Sequence, residues 1–233
     1  MNLNQKNKYN RHITLPQIGE NGQQKIINAR VLVVGAGGLG SPVLQYLTAA
    51  GVGTIGIVDG DVVDLSNLQR QILYKEEQIG KLKVEMAKNS LNKLNSEVHI
   101  ITYPIEINED NAEEIISCYD IVVGATDSFN SRKCIDSETR KQQKAFVHAS
   151  VCEFGGQLSV FNYNGAPSYS DLFPNTSDKE ELPLGVMGVL PGILGVMQAC
   201  EVIKIITGCG EVLAGKLLVY DALTASTNIL DIN

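Results

Sequence analysis

Closely spaced glycines follow a short run of β-branched residues. The run Val31 to Val34 leads directly into Gly35-Ala36-Gly37-Gly38-Leu39-Gly40. Glycines at this spacing let backbone N–H groups approach a phosphate at the N-terminus of the next helix, where the helix dipole favours an anion. The pattern predicts a nucleotide-binding turn. The alternative is a tight turn whose glycines serve close packing alone.

Asp59 follows the next such run, Thr54 to Val58, where a carboxylate can accept hydrogen bonds from ribose hydroxyls. The polar span that begins there reads Asp59-Gly60-Asp61-Val62-Val63-Asp64-Leu65-Ser66-Asn67-Leu68-Gln69-Arg70-Gln71. A dinucleotide dehydrogenase needs little here beyond the ribose carboxylate. This span adds carboxylates, amides and an arginine, whose guanidinium suits bidentate contact with phosphate. It therefore favours ATP over NAD or FAD.

Two further charged residues stand at predicted element ends. Lys83 lies where a helix begins, and Asp127 follows the strand-like Ile121 to Val123. The carboxyl ends of parallel strands are where ligands bind in such sheets. Each charge alone is more often a solvated surface group. Together, phosphate-binding cations and a carboxylate able to hold Mg²⁺ are the parts that chemistry on a nucleoside triphosphate needs.

The rest of the chain alternates predicted helices with predicted strands. The helices are Ile18 to Ile27, Leu39 to Ala50, Val84 to Leu94, Asn111 to Cys118, a polar solvent-facing Ser131 to Gln143, and Pro191 to Thr207. The strands are the two runs above, Val98 to Thr102, Ile121 to Val123, Ala145 to Ala149, Gln157 to Tyr163, Lys216 to Tyr220 and Thr227 to Leu230. The order predicts an α/β fold with a Rossmann-like, doubly wound, mostly parallel sheet and antiparallel strands at the C-terminal end.

Composition narrows the function classes. The 233 residues carry a net charge of −7, which argues against a protein whose main task is to coat nucleic acid or an anionic membrane. No signal peptide is visible at the start. The apolar stretch Pro191 to Thr207 is interrupted every third residue by Gln198, Glu201 and Lys204, so we expect a buried core helix rather than a membrane span. Five cysteines without close pairing indicate reduced thiols and a cytoplasmic location.

Seven segments in this order resemble the ThiF/MoeB family, the adenylyltransferases of thiamine and molybdopterin biosynthesis that are related to ubiquitin-activating enzymes. They are Tyr9-Asn10-Arg11, the glycine run, Asp59 to Asp61, Leu65 to Gln71, Gly80 to Lys83, Thr126-Asp127 and Gly185-Val186-Met187-Gly188. The resemblance extends from Tyr9 to about Asp221, and Asn67 to Gln71 is its most specific part. It implies one adenylation domain over residues 1–233: a helical arm at 1–30, a nucleotide-binding half at 31–150, and a carrier-binding and dimer half at 151–233 with a flexible loop at about 164–184.

The resemblance also implies an activity. The family uses ATP and Mg²⁺ to adenylate the C-terminal glycine of a small ubiquitin-like sulfur carrier that ends in Gly-Gly. Asp59 would bind ribose, and Asp127 would hold Mg²⁺. Arg11 would reach the partner subunit's site in a homodimer. Phosphate contacts would come from Asn67, Arg70 and Lys83. The remaining nucleotide contacts would be Gly35, Gly37, Gly38, Gly40, Asp61, Gln71 and Ser128.

Two features that many members of this family share are missing from the sequence. The first of two zinc-binding Cys-x-x-Cys pairs falls on Ser168 and Asp171, and residues 1–233 contain no second pair. Ser and Asp do not replace two thiolates in a tetrahedral sulfur-rich site, so we expect no zinc. The loop cysteine of many members falls on Glu181, which disfavours a covalent step there. Cys152 is expected to be a small packed residue.

Several alternatives stay open. A related enzyme could adenylate a peptide, another carboxylate or a tRNA base, although the acidic balance weighs against tRNA. An NAD-dependent oxidoreductase would need its own hydride-transfer acid or base, and none is evident. A binding module without catalysis is disfavoured by the joint presence of Arg11, Asp59, Arg70, Lys83 and Asp127.

Overall fold

A single mixed sheet runs through the molecule. The computed structural model describes residues 1–175 and 185–232, and eight strands lie within these ranges. They are β1 (Arg30–Val34), β2 (Thr54–Val58), β3 (His99–Tyr103), β4 (Ile121–Gly124), β5 (Ala145–Cys152), β6 (Gly155–Phe161), β7 (Lys216–Asp221) and β8 (Ser226–Asp231).

Helices cover the sheet. They are α1 (Leu3–Lys8), α2 (Asn10–Ile13), α3 (Gly19–Asn28), α4 (Gly40–Ala50), α5 (Lys83–Leu94), α6 (Ala112–Ser117), α7 (Phe129–Lys141), α8 (Tyr169–Leu172) and α9 (Leu190–Thr207). Apolar side chains form one core on each face of the sheet. Helices α4, α5 and α9 contribute to the first core, and α6, α7 and α8 contribute to the second.

The strand order is β3-β2-β1-β4-β5-β6-β7-β8. Strands β1 to β5 pair in parallel, and β6, β7 and β8 are added antiparallel. The predicted fold is confirmed. Because the chain leaves β1 toward one edge and later returns to β4 on its other side, the carboxyl ends of β1 and β4 lie next to each other. This is the switch point at which open α/β sheets bind ligands.

Helix α9 packs against α4, β5 and β6, with its polar stripe turned inward. Gln198 Nε2 donates to the carbonyls of Gly124 and Val147 at 2.9 and 3.2 Å, and the buried Glu201 carboxylate accepts from a backbone N–H at 2.9 Å. Val196 and Cys200 are exposed instead. The polar stripe of α9 therefore faces the core, because Gln198 and Glu201 satisfy buried backbone groups there. By length and hydropathy α9 is the one helix of the described residues that could cross a membrane, and half of it is buried in the protein.

Helix α7 is not the purely solvent-facing helix that the sequence predicts, because its inner face is buried. Asp136 on its inner face is buried and accepts hydrogen bonds from the backbone N–H groups of Tyr169 and Ser170 at 2.8 and 3.0 Å. Its carboxylate thereby holds the first turn of α8. This short helix forms within the stretch 164–184 that the sequence predicts as loop. Residues 176–184 of that stretch lie outside the described residues.

Candidate active site

The glycine run makes a tight turn from β1 into α4. Gly35 has φ +97°, and a Cβ there would lie 2.5 Å from the carbonyl oxygen of Ala125 in the segment after β4. A Cβ on Gly40 would lie 2.0 Å from the Gly35 carbonyl oxygen. Close packing therefore requires these two glycines. Gly37 is less confined, since its nearest neighbour, the Gln71 amide, would be 3.5 Å from a Cβ.

Asp59 follows β2 directly and is tied to the glycine turn. Its Oδ2 accepts from the N–H of Ala36 at 2.8 Å, and its Oδ1 accepts from the N–H of Asp61 at 2.9 Å. Burial raises the pKa of the Asp59 carboxyl above its ordinary value, while nearby Lys83 and the two N–H donors oppose the rise. The carboxylate thus fixes the turn, and each oxygen keeps a lone pair for a further donor.

The segment Asn67 to Gln71 lies over the same turn. The aliphatic stem of Arg70 packs against Gly38, with Cγ 3.4 Å from the Cβ position of the glycine. The Arg70 guanidinium donates to the Ser66 carbonyl at 3.0 Å, and the Asn67 side chain accepts from the Asp64 N–H at 3.2 Å. The structure therefore places a cation next to the turn.

Gln71 is buried beside Gly37, and its Oε1 has no hydrogen-bond partner among residues 1–175 and 185–232. An unpaired buried acceptor costs free energy unless a bound molecule or water pairs with it. Its position favours the predicted role of Gln71 as a ligand contact.

Lys83 is the first residue of α5 and is almost completely buried. Its Nζ lies 2.7 Å from Oδ2 of Asp61, whose side chain is largely exposed. Its backbone N–H also donates to the Asp61 carbonyl at 3.0 Å. Lys83 adds a second positive charge close to Asp59.

Asp127 lies two residues beyond the Ala125 carbonyl that packs on Gly35, and its side chain is exposed. The neighbouring Ser128 caps α7 by accepting from the Ser131 N–H at 3.1 Å. Among the described residues, no group of three or more His, Cys, Asp or Glu side chains is arranged around a metal position. A single exposed carboxylate fits Mg²⁺ that is also held by water and substrate phosphate, because Mg²⁺ usually uses one or two carboxylates.

Arg11 lies away from this cluster. It is exposed on α2, next to Tyr9, whose hydroxyl packs on Gly51 at the C-terminal end of α4. The glycine turn is at the other end of α4. A contribution of Arg11 to the site of its own chain therefore has no support, and its role in a partner's site stays a prediction.

The residues in the place of the first zinc pair bond to each other. Ser168 Oγ accepts from the Asp171 N–H at 3.1 Å, and the Ser168 N–H donates to the Asp171 carboxylate at 3.0 Å. A cation, Arg140, lies 3.6 Å from that carboxylate. This helix-capping box does not fit a tetrahedral thiolate site for zinc. Glu181, in the place of the loop cysteine, lies outside the described residues.

Cys152 is exposed at the end of β5, so the expectation of a packed residue is wrong. It stands at the tip of the β5–β6 hairpin, beside the exposed Glu153 and Phe154. His148, by contrast, is fully buried among aromatic rings, and this burial holds its pKa well below the ordinary value. Its ring packs against Phe146, Phe161 and Tyr169 in the second core and is not part of the site.

Two residues near the turn are absent from the sequence-based site. Tyr74 donates from its buried hydroxyl to the Ala36 carbonyl at 2.7 Å. Arg132, buried on α7, donates to the Thr126 carbonyl at 2.9 and 3.2 Å, directly before Asp127. The scarcity of arginine in the chain is a signal that could have drawn attention to Arg132. No local pattern identifies Tyr74, because its partner lies 38 residues away.

The sequence matches a known protein family and several named adenylyltransferases. The model of the ThiF family matches residues 9–233. A probable molybdopterin-synthase adenylyltransferase of Gracilaria tenuistipitata var. liui is 45% identical over 222 residues, which cover 94% of this chain and 62% of that protein. A sulfur carrier protein adenylyltransferase of Thermus thermophilus is 43% identical, covering 94% of this chain and 84% of that protein. The adenylyltransferase and sulfurtransferase MOCS3-1 of Zea mays is 43% identical, and the match covers 96% of this chain and 48% of that protein. This chain thus spans about three fifths of the Gracilaria protein and half of the maize protein.

Solved structures share the fold. Escherichia coli MccB with MccA-N7isoASN superposes with a TM-score of 0.87 at 24% identity, over 98% of this chain and 72% of that chain. MccB with ATP gives a TM-score of 0.81 at 23% identity, over 97% and 72% of the two chains. At these identities the likeness establishes the fold.

Proposed function

The chain belongs to the ThiF family, and on that premise we propose that it is an ATP-dependent adenylyltransferase. Its substrate is the C-terminal glycine carboxylate of a small ubiquitin-like sulfur-carrier protein that ends in Gly-Gly. The carboxylate oxygen forms a bond to the α-phosphorus of ATP, the bond to the β-phosphate oxygen breaks, and pyrophosphate leaves. The names of the relatives support a molybdopterin-type carrier more than a thiamine-type carrier.

The observation that carries the proposal is the pair of cations at the glycine turn. Arg70 packs on Gly38, and the buried Lys83 lies beside the carboxylates that hold the turn. Two positive charges near a phosphate-binding turn suit a triphosphate, in which charge shifts to the leaving pyrophosphate. A hydride transfer from NAD would not need either of them.

The residues have distinct tasks in this reaction. Asp59 binds ribose and keeps the turn in place, Gln71 contacts the nucleotide, and Asn67, Arg70 and Lys83 contact the phosphates. Asp127 holds Mg²⁺, which neutralises phosphate charge when bound. A C-terminal carboxylate is already ionised at pH 7, so the protein needs no general base, and positioning with charge neutralisation provides the rate.

The proposal also assigns a task to each half of the chain. Residues 31–150 hold the nucleotide, and residues 151–233 hold the carrier and a second copy of the chain in a homodimer. The exposed Val196 and Cys200 of α9 and the remote position of Arg11 support a dimer in which Arg11 serves the partner's site. The reaction takes place in the cytoplasm without nucleic acid, membrane or zinc.

The test is pyrophosphate–ATP exchange with purified protein, Mg²⁺ and a candidate carrier. We expect exchange that depends on the carrier and disappears when the carrier lacks its last glycine. Calorimetry with ATP and with NAD runs in parallel. Tighter binding of NAD than of ATP contradicts adenylation. Exchange with a peptide or small carboxylate, but with no carrier, assigns the adenylation to a different acceptor.

The dimer has its own test. Arg11→Ala and Asp127→Asn are each expected to reduce exchange severely at the working Mg²⁺ concentration. Mixing the two variants under conditions that let subunits exchange should restore activity, because one site of each mixed dimer is intact. Size-exclusion chromatography with light scattering reports the oligomeric state. A monomer that is fully active excludes the proposed role of Arg11.

A further inference from the structure

We propose that the hydroxyl of Tyr74 is a positioning group for the phosphate-binding turn: it holds the Ala36–Gly37 peptide so that the Gly37 N–H is available to the nucleotide phosphates. The inference rests on the proposed function, since it needs a nucleotide at this turn. Tyr74 contacts the turn and no substrate atom is assigned to it, so its effect acts through the backbone.

Hydrogen bonds hold residue 36 on both sides. The Tyr74 hydroxyl donates to the Ala36 carbonyl at 2.7 Å, and the Ala36 N–H donates to the Asp59 carboxylate at 2.8 Å. Ala36 and Tyr74 are both buried, so the bond between them is shielded from water, while the Asp59 carboxylate is partly buried. The two bonds leave the turn little freedom to rotate.

The orientation of this peptide decides where the next N–H points. In a trans peptide the C=O and the following N–H point in opposite directions. Because the Ala36 carbonyl points to Tyr74, the Gly37 N–H points away from it. Within the described part of the chain, no acceptor pairs with the Gly37 N–H. A backbone donor without a partner at a glycine turn before a helix is suited to an anion.

Tyr74 also connects the turn to the segment that carries Arg70. Its own N–H donates to the Gln71 carbonyl at 3.2 Å, and the N–H groups of Arg70 and Gln71 both donate to the Asn67 carbonyl at 3.0 and 2.9 Å. The tyrosine therefore sets the position of the turn relative to the neighbouring cation. The backbone bond to Gln71 does not depend on the side chain, so Tyr74→Phe removes only the half of this connection that the hydroxyl makes to Ala36.

Tyr119 provides a matched control. It is also buried, but it belongs to the core on the opposite face of the sheet, and its hydroxyl lies 3.1 Å from the Tyr103 hydroxyl. Tyr74→Phe and Tyr119→Phe each remove one buried hydroxyl and keep the ring. They differ in whether that hydroxyl contacts the glycine turn.

The first experiment is calorimetric titration of the full chain with Mg-ATP, together with thermal unfolding without ligand. We expect Tyr74→Phe to raise the Kd for ATP roughly 3- to 10-fold, the effect of one hydrogen bond, and Tyr119→Phe to leave it unchanged. Equal Kd values for wild type and Tyr74→Phe, or an equal loss in both variants, overturn the inference. Failure of the wild-type protein to bind ATP refutes the proposed function itself, and the inference with it.

The second experiment observes the Gly37 N–H directly by NMR of ¹⁵N-labelled protein. On addition of Mg-ATP we expect its proton resonance to move downfield in the wild type and in Tyr119→Phe, with a smaller shift in Tyr74→Phe. An unchanged Gly37 resonance in wild-type protein saturated with ATP would show that this N–H does not meet phosphate. This result would overturn the inference even if Tyr74→Phe weakened binding.

Discussion

The ammonium of Lys83 and the carboxylate of Asp61 lie 2.7 Å apart but in very different surroundings. The side chain of Lys83 is 5% exposed and that of Asp61 is 68% exposed. A buried charge that loses its partner is costly, whereas an exposed carboxylate that loses its partner is simply hydrated. Replacing Asp61 and replacing Lys83 should therefore change the free energy of unfolding by different amounts, even though the two residues form one ion pair.

The first prediction uses this asymmetry. Asp61→Asn should lower the free energy of unfolding by about 1–2 kcal/mol, because it leaves the buried ammonium with a weaker acceptor. Lys83→Met should unfold at nearly the wild-type denaturant concentration, since methionine fills the buried space without a charge. The Lys83→Met protein should nevertheless lose pyrophosphate exchange. Urea unfolding of both variants measures the difference, and equal destabilisation would contradict the structural assignment.

The second prediction concerns pH and Asp59. Burial raises the pKa of this carboxyl in the folded state, so the folded protein holds the proton more tightly than the unfolded chain does. The stability associated with that proton is present at low pH and is lost as pH rises from about the ordinary value of 3.8 through the raised folded pKa. Asp59→Asn removes this titration.

The measurement is the free energy of unfolding of Asp59→Asn minus that of wild type, as a function of pH. We expect the difference to change in favour of the variant as pH rises through this window and then to level off. The exposed Asp110→Asn is the control variant and is measured over the same pH range. A difference that moves in favour of the wild type with rising pH would mean that hydrogen bonds and Lys83 outweigh burial.

The sequence predicts the fold better than it predicts contacts at the site. The strand Thr54–Val58 has the same bounds in the sequence and in the structure, because its compact β-branched run is bounded by a glycine and an aspartate. The spacing of Gln198 and Glu201 reveals a stripe but not which side of α9 faces the sheet. That side depends on the carbonyls of Gly124 and Val147, which are distant in sequence.

At the site, too, the sequence predicts which segments meet but not the contacts between residues that are distant in sequence. Glycine spacing and strand ends bring Gly38, Asp59 and Arg70 to one place, since the topology dictates where those ends meet. The bond between Tyr74 and Ala36 depends on a loop path that no short-range pattern encodes. The expectation that Cys152 is packed rests on the usual burial of thiols and is wrong, because the pairing of β5 with β6 places this residue at an exposed hairpin tip.

The third prediction concerns Arg70. Arg70→Ala should slow carrier-dependent pyrophosphate exchange about 10²–10³-fold, the usual effect of removing one fixed donor to developing charge. Its fold should stay intact, because a half-exposed loop residue contributes little to the core. Arg140→Ala is the matched control, since that arginine is exposed and pairs with Asp171 instead. Similar rates of pyrophosphate exchange in Arg70→Ala and Arg140→Ala would contradict a role of Arg70 in the site.

The fourth prediction concerns Mg²⁺. Asp127→Asn keeps the shape of the side chain but removes its charge, so half-maximal exchange should require a higher Mg²⁺ concentration and the maximal rate should fall. Titration of exchange with MgCl₂ at constant ATP measures this change. Asp110→Asn should give the wild-type Mg²⁺ curve. An unaltered Mg²⁺ requirement in Asp127→Asn would show that other groups hold the ion.

The last prediction separates adenylation from thiol chemistry. Acyl-adenylate formation uses the carboxylate of the carrier, so replacing all five cysteines with Ser or Ala should leave pyrophosphate exchange largely intact. Burial raises the pKa of the Cys134 thiol to about 11, which keeps it protonated and a poor nucleophile at neutral pH. Cys152 is exposed at a hairpin tip and is the cysteine whose removal is most informative. The assay compares exchange by the Cys-free protein, Cys152→Ser alone and Asp127→Asn, after circular dichroism has confirmed that each is folded. If the Cys-free protein and Cys152→Ser both lose exchange as severely as Asp127→Asn, a thiol takes part in the step, and adenylation by positioning and charge neutralisation alone is wrong.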